Sequence, residues 1–283
     1  MKQCSYCGRD NHDEVDYCFE CGSQFGPKSS PIPDTQSIVA VGTSPTLAEA
    51  SASEPLWSAR DAWKCLGMFL VFEFVMNFTS GAIGVVIPGF RHLWRSGAGH
   101  FGFSLLHYAG YILISLYFAR TQSLPSFLKA FGLIGSPSSY IWFAVVVTLA
   151  IRVTGHLVIS AGWSRGVSTI SLWGFARSFG LERYLYLAPA LMAPFGEELY
   201  MRGFLYRAFR GSYSVAVSTL LILGITAVTH WNQFHHSWIA VVDISAPTVL
   251  QCFLRERTGN LWDCILCHLV FNATGAFASL PLR

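Results

Sequence analysis

The sequence predicts an all-α, multi-pass membrane protein: a bundle of about seven transmembrane helices, within a range of six to eight, behind a small N-terminal zinc ribbon. Three observations predict it. Of 283 residues, 52% are hydrophobic and only 12% are charged, whereas soluble domains carry about 25% charged residues. From Trp57 onward, apolar segments recur at roughly the 17–25 residues needed to cross the hydrocarbon core. Ahead of them, four cysteines fall as Cys4-x2-Cys7-x10-Cys18-x2-Cys21. A net charge of +3 gives no footprint for nucleic acid, and no such partner is expected.

Residues 1–23 form the expected zinc ribbon. Two Cys-x2-Cys pairs, each followed by a glycine (Gly8 and Gly22), suit a tetrahedral structural zinc held by Cys4, Cys7, Cys18 and Cys21. The glycines let the chain turn so that amides point at thiolate sulfur. A pair of disulfides is the competing assignment. However, Met1-Lys2-Gln3-Cys4 opens a polar stretch rather than an exported leader, so a reducing compartment is expected. A segment this short builds no core, and the metal would supply its folding energy. Residues 24–58, with runs such as Pro27-Lys28-Ser29-Ser30-Pro31, form a Ser/Pro-rich flexible linker. Residues 59–283 form the membrane domain.

Within that domain the expected spans lie near 63–88, 102–119, 140–162, 184–206, 213–230, 237–254 and 261–280. The first is long enough to be tilted, or broken near Gly81. Residues 123–133 and 166–181 are interfacial in pattern, the latter also able to add a span, and there is no internal repeat. With the N-terminus inside, 11 Lys and Arg fall on the cytosolic side and 6 on the other. That bias predicts a multi-pass plasma-membrane protein with a cytoplasmic N-terminus.

The fourth span carries Gly196-Glu197-Glu198-Leu199-Tyr200-Met201-Arg202-Gly203. A carboxylate near the bilayer centre costs roughly 2.5–3.5 kcal/mol on insertion scales, so acids at such depth are retained for function or for each other's company. Glu198 and Arg202 are four apart with the acid first, the favourable order for a helical ion pair. Glu197 is turned about 100° away, which leaves one acid for Arg202 and one for a cavity. Pro194 and Gly196 just before can loosen the helix and free carbonyls. His230 ends the fifth span, and His268 and Asn272, four apart, share a face of the last. These groups suit the activation of water on a carbonyl. A carboxylate in a low-dielectric pocket is a stronger base than in water, while imidazole and carboxamide can donate to an oxyanion.

The ordered set Glu197-Glu198-x3-Arg202, His230 and His268-x3-Asn272 resembles the CPBP family, which comprises the CAAX prenyl proteases and bacteriocin-processing enzymes and is also called the abortive-infection family. Arg202-Gly203-Phe204-Leu205 and Gly259-Asn260-Leu261-Trp262 fit as well, and the likeness runs over roughly residues 140–280. It implies an intramembrane endopeptidase. Glu197 would activate water with help from His230, His268 and Asn272 would stabilise the oxyanion, and Glu198 and Arg202 would support them. The implied substrate is a membrane-associated peptide or protein reached through the lipid. The family's second motif has Phe four residues before its histidine, where this chain has Thr226. Aligning Trp231 and His235 instead restores an aromatic but moves the histidine past the apolar run.

Other readings remain beside this one. Two histidines and a glutamate are an adequate zinc triad by type, although Arg202 disfavours a dication and the resemblance favours a metal-free glutamate mechanism. The helical core could instead be a non-catalytic scaffold or immunity protein, with the zinc ribbon binding a protein partner. Arg152 and His156, four apart, could face the cavity, and Glu73 could snorkel or pair in the interior. The sequon-like Asn77-Phe78-Thr79 and Asn272-Ala273-Thr274 lie within spans, and Cys264-x2-Cys267 reads as packing.

Overall fold

The computed structural model describes residues 2–3, 10–13, 25, 57–87, 89–90, 96–119, 124–161, 183–234 and 238–277. The chain divides into two compact units, Met1–Leu56 and Trp57–Arg283. In the first, β1 (Lys2–Gln3) pairs antiparallel with β2 (Asp10–Asn11), Lys2 opposite Asn11 and Gln3 opposite Asp10. The Lys2 ammonium stands 4.2 Å from the centre of the Phe25 ring. Cys4, Cys7, Cys18 and Cys21 lie outside the described residues, as does the linker apart from Phe25, Trp57 and Ser58.

The second unit is helical. Its elements are α1 (Ala59–Val86), α2 (Gly97–Ala119), α3 (Leu124–Phe131), α4 (Tyr140–Ser160) and α5 (Arg183–Glu198). A π-helical segment, Leu199–Leu205, continues α5 into α6 (Tyr206–Arg210). Then come α7 (Val215–Thr229), the short α8 (Trp231–Phe234), α9 (Trp238–Thr258) and α10 (Leu261–Phe277). By length and composition α1, α2 and α9 can each cross a membrane, and Tyr140–Gly155, Val215–Thr229 and Leu261–Thr274 are shorter apolar helices.

The distribution of side chains is that of a protein in lipid. On α1 the inward stripe is Ala62, Cys65 and Phe69, at helical spacing, while Leu70, Val71, Phe74, Val75 and Phe78 face outward. In water such a face would be a liability; against acyl chains it costs nothing, because lipid is as apolar as a core. The helix runs unbroken through Gly81. Ser58 starts it with a capping box: its hydroxyl accepts from the Asp61 N–H, and the Asp61 carboxylate accepts from the Ser58 N–H at 3.1 Å. Trp57, just ahead, is buried between Phe131 and Phe204, and its indole donates to the Ala119 carbonyl at 3.2 Å.

Packing converges on the α5–π–α6 rod. It meets α1, α2 and α10, and α10 in turn packs against α4 and α9. Aromatic rings fill the junction, with Phe69 stacked on Tyr200 at 4.6 Å and Phe118 6.0 Å from Phe204. The turn between α9 and α10 sets the height of α10. Gly259 adopts φ +65°, a left-handed cap that a side chain would strain. Asn260 then caps α10 by accepting from the Trp262 N–H at 2.8 Å and ties the turn down by donating to the Ser136 carbonyl at 2.7 Å. The buried Asp263 carboxylate accepts from both the Ser138 N–H (2.8 Å) and hydroxyl (2.7 Å). His268 and Asn272 are thus held at a fixed register.

Candidate active site

A cavity of about 320 Å³ opens among α2, the π segment, α7, α9 and α10. Of the residues singled out from sequence, Glu197, Arg202, His230, His268 and Asn272 line it, and Glu198 lies beneath it with 0% of its side chain exposed. The two acids therefore divide as their angular separation implies. Glu197 keeps 24% of its side chain accessible and faces the space.

Glu198 is a hub. One carboxylate oxygen accepts from the Arg202 guanidinium at 3.1 Å and from His268 Nδ1 at 2.7 Å. Removing that acceptor would strand two buried donors, the costly way to break a buried pair. Because a carboxylate only accepts, His268 carries a proton on Nδ1. Its other nitrogen, Nε2, stands 3.9 Å from Glu197, so one imidazole spans both acids. Arg202 also donates to the Thr248 carbonyl at 3.4 Å, and its own carbonyl accepts from Arg255 Nε at 3.2 Å, fastening the π segment to α9. A π turn holds one residue more than an α turn and is common at functional sites. Here it follows directly after the acid pair.

Asn272 is placed by a proline. Pro194 has no N–H, so the carbonyl four residues earlier, on Ala190, has no helical donor. Asn272 Nδ2 supplies one at 2.8 Å. The carboxamide thereby clips α10 to α5 while still lining the cavity. His230 caps the C-terminal end of α7. Its Nδ1 donates to the Thr226 carbonyl at 3.1 Å, which leaves Nε2 as an acceptor. Thr226, in the place where the motif has Phe, is a wall residue of the cavity, as are Thr229 and Gln251. Trp231 is exposed, and His235 and His236 lie outside the described residues.

Other candidates go elsewhere. Arg152 pairs with Asp243 at 2.7 Å and lies over the Phe271 ring at 4.6 Å, and so bridges α4 to α9. The His156 side chain lies outside the described residues. Glu73 is half-buried, with Oε1 3.1 Å from His107 Nε2. His107 and Tyr111 also line the cavity, and sequence reading missed both; their spacing of four along an apolar helix was the available signal. Among the described residues, no three His, Cys, Asp or Glu side chains come together to hold a metal ion.

The sequence model of the Rce1-like family, type II CAAX prenyl endopeptidase, matches residues 179–274. That stretch carries the acid pair, His230, His268 and Asn272, and excludes α1 to α4. No curated protein and no solved structure matches the chain.

Proposed function

We propose that the protein is an intramembrane endopeptidase that hydrolyses a peptide bond of a membrane-associated peptide or protein with a glutamate-activated water. The observation that carries this reading is the convergence of Glu197, His230, His268 and Asn272 on one cavity inside an apolar helical bundle, within the segment similar to a CAAX prenyl endopeptidase family. In this mechanism Glu197 takes a proton from water, and the oxygen attacks the scissile carbonyl carbon. The unprotonated Nε2 of His230 accepts the second water hydrogen bond and aims the nucleophile. His268, protonated on both nitrogens with Nδ1–H on Glu198 and Nε2–H turned to the cavity, and the free N–H of Asn272 donate to the carbonyl oxygen as it gains charge. Collapse breaks the C–N bond, and Glu197 passes its proton to the departing amine. Glu198 and Arg202 are positioning residues.

The N-terminus is placed in the cytosol, and Cys4, Cys7, Cys18 and Cys21 are assigned to one structural zinc. Protein reconstituted in lipid should cleave a membrane-anchored peptide, and Glu197→Ala should lower the rate by several orders of magnitude with its melting temperature retained. Undiminished turnover in that variant would defeat the proposal and favour the scaffold.

A further inference from the structure

Two polar side chains outside the family-matched segment, His107 and Tyr111, line the same cavity, and a third, Glu73, contacts them. His107 and Tyr111 lie one turn apart on α2, and Glu73 reaches them from α1. The two helices approach closely where the Phe72 ring packs on Gly110: a Cβ at 110 would come within 2.2 Å of Phe72 Cζ. His107 Nε2 is 2.9 Å from the Tyr111 hydroxyl and 3.1 Å from Glu73 Oε1. Asn77 Nδ2 holds the other Glu73 oxygen at 3.4 Å. Tyr111 packs edge-on to Phe69 at 4.9 Å and tilts against Tyr200 at 5.5 Å, so its ring is fixed where it lines the cavity. Glu197 lies within Coulombic range of both Tyr111 and Glu73.

The proton count favours a particular role. A carboxylate beside Nε2 selects the tautomer with the ring proton there. That N–H donates to the phenol oxygen, and His107 Nδ1 is left buried without a hydrogen-bond partner among the described residues. The phenol's own hydrogen is a rotor. It can turn to a guest in the cavity that Tyr111 lines. By contrast, one hydrogen of Asn272 is held by Ala190 and the Nδ1 proton of His268 by Glu198. Tyr111 thus offers the cavity a hydroxyl donor that is not committed to a helix carbonyl or to Glu198.

We propose that Tyr111 is a catalytic residue that donates its phenolic O–H to the oxygen of the scissile carbonyl as charge develops, with His107 and Glu73 positioning it. The N-terminal half of the helical unit then supplies part of the catalytic machinery rather than lipid-facing wall alone. This inference rests on the peptidase reading, and the experiment separates the two. kcat and KM for a membrane-anchored peptide are measured in lipid for Glu197→Gln, Tyr111→Phe, His107→Gln and the double variant Tyr111→Phe/His107→Gln. Loss of one oxyanion donor lowers kcat by about 10²–10³, so Tyr111→Phe should do so with KM nearly unchanged. His107→Gln should lower kcat alone yet add nothing in the Tyr111→Phe background. An active Glu197→Gln overturns the peptidase reading itself. An inactive Glu197→Gln with Tyr111→Phe within about threefold of the parent leaves that reading standing and overturns this one, threefold being well under the loss of a single donor. Additive effects in the double variant also overturn it. Should Tyr111→Phe fail to fold, 3-fluorotyrosine at 111 decides: a kcat changed by more than about threefold with KM retained supports the role, and an unchanged kcat overturns it.

Discussion

Glu197 and Glu198 are neighbours in sequence with opposite duties, and substitution should separate them. Glu198 has 0% of its side chain exposed and accepts from both Arg202 and His268. Glu198→Ala should therefore cost about 3–5 kcal/mol of stability, seen as a lowered melting temperature in detergent. Glu197→Ala should leave melting unchanged and remove activity. The same reasoning applies to the histidines. His230 lines the cavity, so His230→Ala should nearly abolish turnover. His235→Ala and His236→Ala should change it by less than about tenfold, or about 1.4 kcal/mol. A severe loss at His235 with His230 tolerant would mean that the motif is misaligned and that Trp231 takes the aromatic place. Sequence spacing made the Glu198–Arg202 pair legible because both ends lie on one helix. It left Glu73 without a partner because His107 lies 34 positions away on another helix, and only packing brings the two together.

At the level of the element, hydropathy and length were enough to find the helices. Those expected near 102–119, 140–162 and 261–280 run as Gly97–Ala119, Tyr140–Ser160 and Leu261–Phe277. The expected span 184–206 is the instructive one: it is helical throughout and continues to Arg210, but it passes through a π segment at Leu199–Leu205. No propensity marks a π turn; tertiary contacts such as the Arg255 donation to the Arg202 carbonyl help hold it. The Pro194 defect was half legible: the proline announces a free carbonyl, but not that Asn272 will fill it. This yields a double-mutant cycle. Asn272→Ala strands the Ala190 carbonyl and should cost about 1–3 kcal/mol. With Pro194→Ala the helix satisfies that carbonyl itself, and Asn272→Ala should then cost far less, a coupling readable by melting or denaturant titration. Equal costs in both backgrounds would show that the clip carries no stability.

For the molecule as a whole, the two units are proposed to separate metal from chemistry. If the four cysteines hold a structural zinc, purified protein should carry about one zinc per chain. Deleting residues 1–23 should remove that zinc and leave peptidase activity in place. Zinc persisting after the deletion would revive a glutamate–histidine metal site in the membrane unit. Metal analysis of both forms, beside turnover, decides it.

The pairing of Glu198 with Arg202 bears on how the chain is made. Both ends of that pair emerge from the ribosome within four residues of each other, so the charge of Glu198 can be balanced as soon as its helix forms. His268, the second partner of Glu198, follows 70 residues later on the final helix. Until that helix is made, the acids are present without the imidazole that joins them. On the proposed mechanism a nascent chain would be hydrolytically silent, and neighbouring polypeptides at the insertion site would be spared until α10 docks.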